Sequence, residues 1–167
     1  MLIAAGRFIE GLTRDIPTER RWLSFLGPSG VGKTYLAKNL ISIARALPHL
    51  STHKSLINPI GMWQWGTLMG CLKDKQYWLL DDIRDSNLVL IDDIGIEEDR
   101  SGYGREQLYR ILNSRVGKWT VITCNMDLAE IAERIDTRIA SRLIRDRNEV
   151  LEIKTLDYCM RSNAFAS

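Results

Sequence analysis

The chain has 167 residues, is 45% hydrophobic and 26% charged, and carries a formal net charge of +2. This length suits one domain with a real core rather than two, and so small a net charge does not by itself announce a nucleic-acid binder, so any basic surface must come from local clustering. Cys71, Cys124 and Cys159 are too few and too scattered for a zinc or disulfide framework and suit a reducing cytoplasm, and no apolar run is long enough to cross a membrane.

At the start of the chain, Leu2, Ala5, Phe8 or Ile9, and Leu12 fit one helical face. Charges inside this apolar stretch argue against a secretory signal, so residues 1–20 read as a short helical extension packed on the domain. A buried strand follows over 21–26, and then Gly27-Pro28-Ser29-Gly30-Val31-Gly32-Lys33-Thr34. This octet fits the phosphate-loop pattern G-x-x-x-x-G-K-[ST] at every fixed position. Its glycines allow successive N–H groups to turn inward around a phosphate. Lys33 is expected to reach the β- and γ-phosphates, and Thr34 to offer its hydroxyl to Mg²⁺. The helix expected over 35–47 places Leu36, Leu40, Ile43 or Ala44, and Leu47 on one face, and Pro48 ends it. Strand, loop and helix in this order put phosphate at a helix N-terminus, where the dipole favours negative charge.

A weak strand is expected near Leu56 and Ile57, and one or two aromatic-rich helices over 61–82. In the latter, Trp63, Trp65, Tyr77 and Trp78 are interleaved with Lys73 and Lys75, a composition that suits base stacking with phosphate attraction. Packing of the same aromatics against the sheet is the competing reading. Leu88-Val89-Leu90-Ile91 reads as a strand covered on both faces, ending in Asp92-Asp93. A carboxylate at the C-terminal end of a central parallel strand points into the ligand crevice. Asp92 is therefore assigned to Mg²⁺ and Asp93 to polarising the attacking water, with the shorter Asp in place of a Glu favouring slow hydrolysis. A polar loop spans 97–104, a helix 105–115 with Leu108, Ile111 and Leu112 inward, and a strand 119–123. Asp127 and either Asp136 or Thr137 read as helix caps, and 149–153 as a last strand. His49 and His53 have no partner ligands in sequence. Alternating strands and helices imply a single α/β domain over 1–167, a three-layer phosphate-loop fold with a central parallel sheet.

The order of motifs resembles the AAA+ ATPases of DNA replication. Val121-Ile122-Thr123-Cys124-Asn125 is similar to the sensor-1 strand, with Asn125 holding the attacking water. Asp136-Thr137-Arg138-Ile139-Ala140-Ser141-Arg142-Leu143 is similar to the arginine-finger box of replication-initiation members. By that match Arg142 is the finger, supplied to a neighbouring subunit, and Arg138 its second cation. The set, with Leu-Val-Leu-Ile-Asp-Asp-Ile-Gly at its centre, resembles the helicase loaders of the DnaC/DnaI type and their relative, the IstB transposition helper. The resemblance runs from about residue 21 to residue 161. It implies Mg²⁺ and ATP as cofactors, slow hydrolysis accelerated by assembly or DNA, an ATP-dependent homo-oligomer, no helical lid domain, and a cytoplasmic location without membrane contact. It also implies a replicative helicase as partner, single-stranded DNA as a further candidate, and Arg161 as a sensor-2 contact to the phosphates. A transposase-helper role, an ATP-dependent binding switch with negligible turnover and a metabolite kinase remain as alternatives; the kinase leaves the Ser-Arg-Leu box unexplained.

Overall fold

The computed structural model describes residues 2–14, 21–47, 60–95 and 101–154. Helix α1 (Leu2–Arg14) precedes strand β1 (Trp22–Leu26), helix α2 (Lys33–Arg45) and strand β2 (Ile60–Gln64). Helices α3 (Trp65–Lys73) and α4 (Trp78–Asp85) lead to strand β3 (Leu88–Ile94) and helix α5 (Tyr103–Ser114). Strand β4 (Trp119–Cys124) is followed by a single turn, α6 (Leu128–Glu130), a wide π-type turn (Ile131–Ile135), helix α7 (Thr137–Ile144) and strand β5 (Glu149–Glu152).

The five strands form one parallel sheet in the order β2-β3-β4-β1-β5. Strand alternation divides the core into two layers. Leu23, Phe25, Leu88, Leu90 and Val121 face α1 and α2, meeting Phe8, Leu12, Leu40 and Ile41. Trp22, Leu26, Val89, Ile91 and Ile122 face the other helices, meeting Leu68, Leu72, Ile83, Leu112 and Leu143. Every residue of β1 and β4 is buried, as central parallel strands covered on both faces must be. The expected three-layer α/β sandwich is thus the observed one. Among the described residues no helix is long and apolar enough to cross a membrane.

One expectation is corrected. Residues 60–64 form an edge strand, not the start of a helix, so Trp63 and Trp65 belong to different elements. The pairing of Ile60 through Gln64 with Leu88 through Asp92 supplies the backbone partners that local sequence does not announce. The weak strand placed at Leu56 and Ile57 lies outside the described residues, as do His49 and His53. In the helical extension, Ala5, Phe8 and Leu12 pack inward as expected, while Leu2 is exposed.

Arg115, read from sequence as the end of a helix, is fully buried, and among the described residues its hydrogen bonds go to carbonyl and hydroxyl oxygens rather than to a carboxylate. Its guanidinium donates to the carbonyl oxygens of Ile83 (3.1 Å), Ser86 (2.5 Å) and Trp119 (2.5 Å) and to Thr120 Oγ1 (3.3 Å). It therefore ties the C-terminal end of α4 to the starts of β3 and β4. Burial lowers its pKa to about 9, so it remains a cation at neutral pH.

Candidate active site

The strand order brings the C-terminal ends of β1, β4 and β3 side by side, because the chain leaves β1 for the far edge and returns through β3 and β4. Gly27 after β1, Asp92 and Asp93 at the end of β3, and Asn125 after β4 therefore share one crevice, where open α/β sheets bind ligands.

The loop from Gly27 to Thr34 is shaped for close backbone approach. Gly27, Gly30 and Gly32 have φ of +122°, +74° and +88°. A Cβ at Gly27 would stand 2.3 Å from the Ile153 carbonyl oxygen, so no other residue fits there without moving β5. Gly27 N–H donates to Met126 O (3.2 Å) and Ile153 N–H to Leu26 O (2.8 Å), pinning the loop's first residue between its two neighbouring strands. Gly32 caps α2 without any side-chain bond, which leaves the first N–H groups of the helix directed into the loop. Pro28, Ser29 and Gly30 are exposed and Val31 half-buried. Lys33 is only 5% exposed. Its Nζ donates to Gly27 O (2.7 Å) and Pro28 O (2.6 Å), and burial lowers its pKa against the opposing pull of Cys124, Asp93 and Asp92. A buried ammonium whose hydrogen bonds, among the described residues, go to carbonyls suits an incoming phosphate, which supplies a direct counter-charge.

The acidic half of the site is equally defined. Asp92 is buried, and its Oδ1 accepts from Thr34 Oγ1 (2.9 Å) and Thr123 Oγ1 (2.7 Å). Asp93 is exposed, sits at φ +59°, and accepts at Oδ1 from Asn125 Nδ2 (2.5 Å). The pairing of β3 with β4 slips between Ile91 and Ile94, so Asp92 and Asp93 together stand opposite one residue, Thr123. This is a bulge, and it turns both carboxylates toward the crevice. Beside it opens a cleft of about 620 Å³ lined by Thr34, Lys38, Trp63, Gln64, Thr67 and the two aspartates. Among the described residues no cluster of three or more His, Cys, Asp or Glu could hold a metal alone. The Thr34 and Asp92 oxygens instead fit a hard cation that keeps phosphate and water among its ligands, as Mg²⁺ does.

The structure thus brings together Lys33, Thr34, Asp92, Asp93 and Asn125. It does not bring Arg138 or Arg142 to them. The two arginines face α5, at the same four-residue spacing as their partners. Arg138 lies 4.4 Å over the Tyr109 ring and Arg142 donates to Asn113 Oδ1 (2.6 Å). Arg138 is further engaged by Asp136 (2.8 Å), which raises the pKa of Arg138 and has its own lowered. Helix α7 descends from the crevice toward the start of β5, which pairs with Leu23 of β1. Arg142 accordingly lines a groove of about 280 Å³ with Arg21, Trp22, Gly117 and Asn148 at the N-terminal ends of β1 and β4, the end of the sheet opposite the crevice. Arg161 lies outside the described residues. Thr123 is the functional neighbour that the sequence reading gave no role; a buried β-branched residue in a strand carries no local signal beyond β-propensity.

No protein-family model matches the sequence, and no curated protein matches it. Solved structures do. The DnaC helicase loader is similar with a TM-score of 0.69 at 25% identity, over 89% of this chain and 86% of that one. DnaI is similar with a TM-score of 0.67 at 25% identity, over 93% and 82%. DnaA from Aquifex aeolicus, solved with AMPPCP bound, is similar at 0.67 and 15% identity over 89% of this chain and 44% of that one, a likeness of fold. In its parallel sheet and its motif order the chain has the AAA+ fold of these structural neighbours, and it is similar to the helicase loaders of the DnaC/DnaI type.

Proposed function

We propose that this chain is a Mg²⁺-dependent ATPase that hydrolyses ATP to ADP and phosphate and works in DNA replication by loading or remodelling a replicative helicase. The observation that carries the reading is the contact of Asp93 with Asn125 at 2.5 Å beside the Thr34–Asp92 pair at 2.9 Å. A water-orienting pair next to a metal-holding pair, at the mouth of a phosphate loop, is what hydrolysis requires. Residues 27–34 cradle the phosphates, Lys33 offsets their charge, and Thr34 with Asp92 holds Mg²⁺. Asp93 polarises the water and Asn125 orients it. Arg142, with Arg138 behind it, acts on the nucleotide of a neighbouring copy in an ATP-dependent homo-oligomer, and Arg161 contacts the phosphates. The setting is the cytoplasm. Phosphate release from Mg²⁺ and ATP tests the core of this reading. The parent is expected to turn over slowly, and Lys33→Ala to lose both nucleotide binding and turnover. Turnover that survives Lys33→Ala would place the chemistry elsewhere.

A binding switch with negligible turnover is the second reading. It is favoured by the short Asp93 side chain, whose oxygen is already engaged by Asn125. Nucleotide binding without phosphate release, with helicase or DNA added, would select it.

Single-stranded DNA is proposed to meet the surface next to the cleft. Tyr77 and Trp78, which follow Lys73 and Lys75 in the chain, are 53% and 56% exposed, and Trp63 is half-buried along the cleft. Trp65 is in the core and is not available for stacking. Tyr77→Ala and Trp78→Ala are expected to weaken DNA binding by roughly 1–3 kcal/mol per stacked base, with affinity falling as salt rises. Fluorescence anisotropy of a labelled oligonucleotide measures both, and unchanged binding in the two variants removes this surface from the account.

A further inference from the structure

We propose that Thr123 is a positioning residue that sets both aspartates of the site through a single hydroxyl. The inference rests on the ATPase reading of this site and adds a residue to it. The side chain is 1% exposed and sits in the bulge opposite Asp92 and Asp93. Its Oγ1 donates to Asp92 Oδ1 at 2.7 Å and accepts from Asp93 N–H at 2.7 Å. A hydroxyl has one proton and two lone pairs, so these bonds commit its donor and one acceptor.

The two bonds act differently. The first is charge-assisted and fixes the Asp92 carboxylate, the group that would hold the metal. Ligating carboxylates depend on such outer partners for orientation. The second bond holds the backbone of Asp93, not its carboxylate. Asp93 is one of three non-glycine residues at positive φ among those described, with φ +59°. That conformation persists only where the surroundings over-determine it. Thr123 supplies one restraint from the backbone side, and Asn125 the other from the carboxylate side. Relaxing Asp93 to an ordinary strand conformation would straighten the bulge and re-aim its side chain. Thr123 therefore links the metal-holding carboxylate to the water-polarising one, without touching nucleotide or water itself.

A residue that only packs predicts a different mutational order. Valine keeps the shape and the strand preference of threonine and removes only the hydroxyl; serine keeps the hydroxyl and removes the methyl. The test measures two quantities in the full chain: the Mg²⁺ concentration giving half-maximal binding of AMPPCP, and phosphate release from ATP at saturating Mg²⁺. Thr123→Val is expected to need roughly 10–100-fold more Mg²⁺. It should also keep a lowered kcat once Mg²⁺ saturates, with KM for ATP near the parent value. Thr123→Ser is expected to restore most of both. Parent-like Mg²⁺ dependence and kcat in Thr123→Val would overturn the proposal, as would Thr123→Ser failing as badly as Thr123→Val. Should thermal unfolding show Thr123→Val to be unfolded, Thr123→Ser decides: a change within about twofold supports the hydroxyl, and a tenfold loss refutes it. A parent that binds AMPPCP but releases no phosphate would refute the ATPase reading alone, because the Mg²⁺ dependence of binding still judges Thr123.

Discussion

Arg142→Ala is expected to bind ATP as the parent does and to hydrolyse it more slowly, by as much as ~10³-fold. The expectation follows from where Arg142 stands. The phosphate loop surrounds its own nucleotide with backbone donors and Lys33, and Arg142 lies at the opposite, N-terminal end of the strands beside Arg21 and Asn148. It has no path to the crevice of its own chain, so a role in catalysis requires a second copy. Its bond to Asn113 holds the guanidinium against α5, so the side chain is placed before any partner arrives. Arg138, bound to Asp136 and stacked on Tyr109, is tied to its own chain and should matter less. Two defective proteins should then complement. Arg142→Ala keeps an intact pocket and Lys33→Ala an intact finger, so a mixture contains interfaces that join the good halves. Phosphate release should reappear on mixing and rise with protein concentration. A mixture no more active than the sum of its parts, where both variants demonstrably co-assemble, refutes action in trans.

The second large effect concerns stability. Arg115→Met is expected to destabilise the fold by about 3–5 kcal/mol. The guanidinium satisfies carbonyls of Ile83, Ser86 and Trp119 that have no route to water, and each orphaned buried acceptor costs roughly 1–3 kcal/mol. Part of that loss is offset by removing a desolvated cation, since Met fills much of the same volume with apolar atoms. Arg115→Lys should lose nearly as much, because one ammonium cannot span acceptors on three segments as a planar fork does. Urea unfolding at neutral pH measures the change through the midpoint at constant slope. A loss under about 1 kcal/mol for Arg115→Met would show that water or neighbouring donors replace the guanidinium.

How much of this was legible from sequence depended on whether the determinant was local. The strand, loop and helix around Gly27 to Thr34 could be read because the loop's geometry is encoded in its own glycines. Asp127 could be read as a cap because its partner is three residues away: Glu130 N–H donates to Asp127 Oδ1 (2.8 Å), and Asp127 N–H to Glu130 Oε2 (3.0 Å). The run from Leu88 to Ile91 announced a doubly covered strand, and the two aspartates that follow line the cleft at its end. Strand β2 was not legible. Ile60-Gly61-Met62-Trp63-Gln64 has a central glycine and no clean alternation, and it is a strand because β3 offers it a partner. Arg115 and Thr123 were missed for a related reason. The acceptors of Arg115 begin some thirty residues upstream, and the role of Thr123 exists only because a slip in register sets two aspartates opposite it. Long-range pairing made these contacts, and no short motif carries them.

In the function proposed for this chain, Asp93 and Asn125 direct water onto a nucleotide held by the phosphate loop. The most direct test is phosphate release by Asp93→Asn beside the parent, at ATP and Mg²⁺ concentrations shown by titration to saturate both. Asparagine is nearly isosteric and preserves the fold of the bulge, but it cannot draw a proton from water. Asp93→Asn is expected to bind ATP with parent affinity and to release phosphate at a small fraction of the parent rate. Release at the parent rate would contradict this expectation and move the catalytic role away from Asp93.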